Sequence, residues 1–128
     1  MNQYIEMNLN PKGKKTGDCV IRAISYVSGK SWNEVFDLLC KTARKKAMMP
    51  NDTLVYKAVL KDLGFIKQTI PAIEAGECCP TVADVARLCK APAVLSAAHH
   101  LVAVDGKGHY IDIWNCGKKR CYTYWTKA

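Results

Sequence analysis

The sequence lacks the long apolar run that a membrane-spanning helix needs. No stretch of about 18 apolar residues occurs, and the first residues, MNQYIEMNLNPKGKK, contain no apolar segment of the kind found in secretory signals. Internal repeats, linkers and low-complexity segments are also absent. These absences predict a single cytoplasmic domain over residues 1–128 without a membrane partner, in which residues 1–16 form an irregular, polar segment.

Paired metal-binding cysteines are missing as well. The seven cysteines follow no regular framework, and their odd number argues against a disulfide-stapled secreted domain. Zinc sites usually contain CxxC pairs, whereas Cys78 and Cys79 are adjacent and Cys89, Cys116 and Cys121 have no such partner. The pattern favours free thiols in a reducing compartment, and we expect no metal and no other cofactor.

Acidic residues are scarce beside basic ones. Nineteen lysines and arginines against 11 acidic residues give a net charge of +8. A basic surface favours acidic partners or nucleic acid, but charge alone does not identify an activity. Aromatic residues beside the basic tract at 118–120 resemble a nucleic-acid surface, although strand alternation assigns part of that set to the core. These aromatics are Tyr122, Tyr124 and Trp125.

The first half of the chain shows helical periodicity. Apolar residues recur at helical spacing after Asp18, and the sequence Ser31-Trp-Asn-Glu34 is a capping box for a second helix. Asn51 or Asp52 caps a third helix that ends at Gly64. A short strand, FIKQTIP, follows, and Thr81-Val-Ala-Asp84 resembles another cap, for a helix over residues 82–90.

From Ala93 onwards the pattern changes to short runs of aliphatic, β-branched and aromatic residues. They predict antiparallel strands in the sequences AVLSA, HLVAV, HYIDIW and CYTYW. The turn at residues 105–108 predicts a tight hairpin between the second and third of these strands. Helices followed by a strand meander indicate an α+β fold, with the helices packed on a C-terminal antiparallel sheet.

Cys19 stands at the start of the first predicted helix. A helix N-terminus carries partial positive charge and unpaired N–H groups, and both stabilise a thiolate or an oxyanion formed beside it. Cys19 is therefore the candidate nucleophile. The alternative is that it is a small buried hydrophobic residue. Arg22, one turn later, is expected to be solvated or ion-paired.

A base for this thiol has to come from a distant part of the chain. His99 and His100 open the strand HHLVAV. A hairpin with HYIDIWN brings His100 beside Asn115, whose amide orients the imidazole. His99 is the rival base. Asp112 is the rival orienting residue, although alternation assigns it to the opposite face of its strand. His109 is expected in the turn.

The motifs GDCVIRAIS, HLVAV and YIDIWNCG, in this order, resemble those of a minimal papain-like cysteine peptidase. The compact bacteriocin-leader peptidases of that superfamily also place an acid next to the cysteine at the helix start, as Asp18-Cys19 does here. The resemblance implies a cysteine-dependent hydrolase that cleaves a peptide, isopeptide or other amide bond. It assigns Cys19 as nucleophile, His100 as general base and acid, and Asn115 as orienting residue.

The family usually supplies an oxyanion-hole glutamine about six residues before the cysteine, where this sequence has Pro11-Lys12-Gly13-Lys14. Asn10 and Thr16 are the candidates for its role, and the backbone N–H of Cys19 is the alternative. The partner of such an enzyme is a peptide or protein substrate. The missing glutamine supports a second hypothesis, a catalytically inactive papain-like fold that binds nucleic acid or an acidic protein.

Overall fold

The computed structural model describes residues 2–70 and 79–128. Within these ranges the chain forms four helices and six strands, which confirms the predicted α+β class. The elements in chain order are β1 (Tyr4–Glu6), α1 (Cys19–Ser28), α2 (Trp32–Lys46), α3 (Thr53–Asp62), β2 (Phe65–Thr69), α4 (Val82–Leu88), β3 (Ala93–Ala97), β4 (His100–Val104), β5 (Tyr110–Asp112) and β6 (Cys121–Lys127). None of these helices is long and apolar enough to cross a membrane.

The six strands form one mixed sheet in the order β1-β5-β4-β3-β6-β2. β1 runs parallel to β5, and every other pair of neighbours is antiparallel. The prediction that residues 1–16 are irregular is therefore wrong. The predicted C-terminal antiparallel sheet is wrong as well, because β1 adds an N-terminal strand that runs parallel to its neighbour. A three-residue strand is too short to show alternation in a sequence, and its pairing depends on the exposed edge of β5, where Tyr4 lies opposite Tyr110.

The sheet separates two apolar layers, because successive side chains of a strand point to opposite faces. Helices α1, α2 and α3 cover one face and α4 covers the other. The sheet residues in the α1–α3 layer are Phe65, Val94, Leu101, Ala103 and Trp125. Those in the α4 layer include Ala93, Leu95, Ala97, Val102, Val104, Tyr110 and Cys121. Packing of α1 against β4 fixes the start of α1 relative to the central strands.

Side-chain caps begin three of the helices as the sequence predicts. The Ser31 hydroxyl accepts from the Glu34 N–H at 3.1 Å, and the Glu34 carboxylate accepts from the Ser31 N–H at 3.0 Å. Asp52 accepts from the N–H of Leu54 at 3.0 Å, and Thr81 forms a second capping box. α4 ends at Leu88, earlier than predicted, and the predicted strand end at Pro71 lies outside the described residues.

The turn between β4 and β5 is tight, which confirms the predicted hairpin. The Asp105 carboxylate accepts from the N–H groups of Lys107 and His109 at 2.7 and 3.1 Å. Gly106 has φ +80°, and a Cβ there would lie 2.6 Å from the backbone of Ala91. The turn fixes Val104 opposite Tyr110, and this register determines which residues of β5 reach His100.

Candidate functional site

The thiol of Cys19 lies at the positive end of α1. The Asp18 side chain does not cap this helix. Among the described residues no acceptor binds the N–H of Cys19, Val20 or Ile21, because the first helical bond runs from Arg22 to the Asp18 carbonyl at 3.0 Å. These donors and the helix dipole favour negative charge beside the sulfur. Cys19 is half-buried, so it is not sealed in the core.

The His100 side chain is fixed at the start of β4. The two-residue turn before it contains His99, and His100 pairs with Ala97 of β3. Its Nε2 lies 2.5 Å from Oδ2 of Asp112, and only 9% of the side chain is exposed. The ring also packs at a tilt against Trp114, with the centroids 5.1 Å apart. The strand pairing of His100, its contact with Asp112 and its packing against Trp114 together hold the imidazole in this orientation.

The environment of Cys19 and His100 favours the charged forms of both. Burial raises the pKa of the Cys19 thiol, but hydrogen bonding to His100 and to the backbone of Leu101, with the charges of His100 and Arg22, brings it below its ordinary value. Burial lowers the pKa of His100, but hydrogen bonds to Asp112, Cys116 and Cys19 outweigh it and raise that pKa to about 11. These opposite directions favour the thiolate of Cys19 and the imidazolium of His100 over the two neutral groups.

A chain of buried charges holds this pair in place. The Arg22 guanidinium donates from Nε to Asp18 at 2.8 Å and from Nη1 to Asp112 at 2.9 Å. The second oxygen of Asp18 accepts from the Trp32 indole N–H at 2.9 Å. The exposed fractions of Asp18, Arg22 and Asp112 are 4%, 7% and 1%, so each charge depends on its partners. In the sequence, Asp18 and Arg22 are four residues apart, about one helical turn, and this spacing is the feature from which their ion pair could be predicted.

Asp112, and not Asn115, contacts the base. Pairs Val104–Tyr110 and Ala103–Ile111 place Asp112 opposite Val102, and directly opposite residues share a face. His100 and Asp112 therefore lie on the same face, and the assignment of Asp112 to the opposite one is wrong. The strand was also predicted to continue to Trp114 but ends at Asp112. The five-residue turn sets the register of β5 against β4, and this register decides that Asp112, and not Asn115, lies beside His100.

The remaining sequence-predicted residues lie around the site in other roles. Asn115 is exposed and accepts hydrogen bonds from the Tyr110 hydroxyl at 2.5 Å and the Gly117 N–H at 3.1 Å. His99 is exposed in the turn with φ +53°. Thr16 is exposed, and its carbonyl accepts from the Asp18 N–H at 2.8 Å. Asn10 donates to the Asp18 carboxylate at 3.1 Å. An oxyanion role for Thr16 or Asn10 stays a prediction.

Cys116 brings a second thiol to the same imidazole. Burial raises its pKa, and the charge of Asp112 adds to that rise although hydrogen bonding to His100 opposes it. The pKa values of the two thiols at His100 are thus shifted in opposite directions, which favours the anion on Cys19 over the anion on Cys116. Cys116 is 1% exposed, which keeps it away from bulky reagents.

His100, Asp112 and Cys116 are also the described groups that come close enough to share a metal ion, with donor atoms within 4.8 Å of one another. Such donors suit zinc. However, two ligands of a tetrahedral zinc stand about 3.4 Å apart, and the 2.5 Å between His100 and Asp112 is a hydrogen-bond separation. The arrangement fits a hydrogen bond between the imidazole and the carboxylate. Cys78, considered above as a zinc ligand, lies outside the described residues.

The Cys19 thiol and the His100 imidazole both line an open cleft of about 700 Å³. Its volume is within the range of ligand-binding sites. One end is formed by Cys19 and His100, and the other by side chains of α3 and β2. A substrate lying in this cleft can reach the sulfur from solvent.

Arg22 offers a test of the buried charges. Arg22→Met leaves the Asp18 and Asp112 carboxylates buried without their cation, and we expect it to lower the free energy of unfolding by about 3–5 kcal/mol. Urea denaturation measures the change. Arg87→Met is the matched control, since Arg87 pairs with Asp84 at the surface and its loss should cost about 1 kcal/mol or less. Equal losses in the two variants would show that the Arg22 network adds nothing beyond a surface ion pair.

No family model matches this sequence, no curated protein is significantly similar to it, and no solved structure significantly matches its fold. The papain-like resemblance of the three sequence motifs therefore stays a prediction.

Proposed function

We propose that the protein is a cysteine-dependent hydrolase of the papain-like type, which cleaves a peptide, isopeptide or other amide bond through a thioester. The observation that carries the proposal is the pairing of Cys19 with His100 in an open cleft, with opposite pKa shifts that favour the thiolate and the imidazolium. Asp112 is the orienting residue in this proposal. In this proposal Asp112 orients the His100 imidazole, and the imidazole serves as the base for the Cys19 thiol, which is the arrangement that cysteine catalysis requires.

Acylation begins with attack of the Cys19 thiolate on the substrate carbonyl. A carbon–sulfur bond forms, and the carbonyl electron pair moves to oxygen. The unbound N–H groups at the start of α1 are placed to donate to that oxyanion. The carbon–nitrogen bond then breaks as the His100 imidazolium gives its proton to the leaving amine, which leaves a thioester on Cys19 and a neutral imidazole.

Deacylation reverses the role of His100. The neutral imidazole takes a proton from water as the water oxygen attacks the thioester carbonyl, and the carbon–sulfur bond then breaks. The carboxylic acid product leaves and loses its proton to solvent, and Cys19 is again a thiolate beside the His100 imidazolium. An amine in place of water would give acyl transfer by the same steps. Asp112 keeps its negative charge throughout and holds the ring in position. The nucleophile has to be a free thiol, which a reducing compartment such as the cytoplasm maintains.

Trapping of the acyl-enzyme tests this function without knowledge of the substrate. With p-nitrophenyl acetate, we expect rapid release of one equivalent of nitrophenol and transfer of one acetyl group to Cys19, located by mass spectrometry of digested protein. Hydroxylamine should remove the group, because thioesters are labile to it. Cys19→Ser should lose the burst, and Cys40→Ser, on α2 outside the cleft, is the matched control that should keep it. Acetylation spread over other cysteines and lysines, with no burst, contradicts the proposal.

A further inference from the structure

The cleft that contains Cys19 is positively charged at its far end. Lys57 on α3 and Lys67 on β2 line it, and none of the described lining residues is acidic. Neither lysine forms an ion pair within residues 2–70 and 79–128. Two cations that have no ion-pair partner among the described residues create a local positive potential in the cleft, which attracts anionic groups.

The sheet register gives the floor of the cleft. Leu101, Ser96 and Thr123 lie opposite one another on three neighbouring strands, so their side chains share the face that carries α1–α3. Lys67 shares this face too, because it lies opposite Trp125, which packs in the α1–α3 layer. The floor therefore runs across the sheet from β4 to the edge strand β2, over small side chains at Ser96 and Thr123.

The distance along this floor sets the spacing of a substrate. β4 and β2 are separated by β3 and β6, and three interstrand spacings amount to about 14 Å. An extended chain advances about 3.3 Å per residue, so about four residues separate a carbonyl at Cys19 from a side chain at Lys67. Lys57 reaches the same end, since α3 packs against β2.

We propose that Lys57 and Lys67 form an anionic subsite, and that the protein binds acidic peptides whose carboxylates lie about four residues from the bond presented to Cys19. This inference rests on the proposed function for its scissile bond, but the binding it describes does not depend on catalysis. Carboxylate side chains complement the two lysines in charge, and the small side chains of Ser96 and Thr123 leave room for an extended peptide backbone.

Binding to the inactive variant Cys19→Ala separates this proposal from the proposed function. The probe is a fluorescent nonapeptide with two adjacent glutamates, compared with the same peptide carrying glutamines, by fluorescence anisotropy at low salt. We expect the glutamate peptide to bind about tenfold more tightly, as two partly exposed ion pairs allow, and we expect high salt to reduce that preference. Equal affinities for the two peptides overturn the proposal, whatever the outcome of the acyl-enzyme experiment.

Charge removal at the subsite provides the second arm. In the Cys19→Ala background, replacing both Lys57 and Lys67 by glutamine should abolish the preference for the glutamate peptide. Replacing Lys45 and Lys46 by glutamine is the matched control, since it removes the same charge from exposed positions of α2 outside the cleft. A preference lost equally in both double variants reflects net charge alone and overturns the subsite.

Two further results test the chemical class of the ligand and the distance between its carboxylates and the bond presented to Cys19. An oligonucleotide that binds in a Lys57- and Lys67-dependent manner, with no preference between the peptides, would replace the acidic peptide by nucleic acid and overturn the proposal. If hydrolysis is detected, a positional peptide series should show the strongest gain from glutamate about four residues from the cleaved bond. The strongest gain next to that bond would contradict the spacing.

Discussion

Replacing His100 by alanine is expected to slow the alkylation of Cys19 by iodoacetamide at pH 6 at least about tenfold. Iodoacetamide reacts with the thiolate, and a thiol with an ordinary pKa near 8.5 is only about 0.3% ionised at pH 6. His100 is the largest contributor that lowers the pKa of the Cys19 thiol against its burial. Without it, burial dominates and Cys19 becomes less reactive than a free cysteine.

The neighbouring histidine provides the control for this experiment. His99→Ala changes an exposed turn residue, and we expect the rate for Cys19 to stay within about twofold of the unmodified protein. Mass spectrometry of the labelled peptides also reports the buried thiols, which should react slowly because burial raises the pKa of Cys89 to about 11 and of Cys121 to about 12. If a folded His100→Ala protein is labelled at Cys19 at an unchanged rate, the imidazole has no effect on the thiol and does not belong to the site.

Asp112→Asn is expected to reduce turnover of the acyl-enzyme on the order of a hundredfold or more. The amide has nearly the same shape as the carboxylate but carries no charge to stabilise the His100 imidazolium. The pKa of His100, about 11 in the intact site, should then fall towards its ordinary value near 6.5. Nuclear magnetic resonance of the His100 ring measures that fall, and a role in folding alone would not produce it.

A second histidine–aspartate pair supplies the matched control. Asp105 binds the His109 ring at 2.7 Å in the β4–β5 turn, outside the cleft, and Asp105→Asn should leave turnover nearly unchanged. Asn115→Ala tests the residue that the resemblance assigns. Since the Asn115 side chain binds Tyr110 and Gly117, its loss should lower the melting temperature but leave most of the turnover. A larger loss of turnover in Asn115→Ala than in Asp112→Asn would restore Asn115 as the orienting residue.

Local sequence signals predicted most of the elements correctly. The capping residues Ser31, Asp52 and Thr81 act within three residues of themselves, and the structure confirms each of them. The α+β class follows from the order of periodic segments in the same way. β1 escaped prediction because its three residues depend on a partner strand about a hundred positions away.

The candidate site was predictable up to the point where strand register enters. Cys19 and His100 were identified from their positions at the start of a helix and of a strand, and the structure brings them into one cleft. The choice between Asp112 and Asn115 required the pairing of Val104 with Tyr110, since a shift of one residue reverses every side chain. The Asp18–Arg22–Asp112 chain needed a contact across 90 positions, which no local pattern reveals.

We expect Cys19 to be a thiolate paired with the His100 imidazolium at neutral pH. The ultraviolet absorbance of the thiolate, taken as the difference between the unmodified protein and Cys19→Ser, measures this state directly over a pH titration. We predict that the difference signal is already present at pH 7, with a midpoint below the ordinary thiol value near 8.5, and that it is lost at pH 7 in His100→Ala. A signal that arises only above pH 8.5, and does so equally with and without His100, would contradict the account.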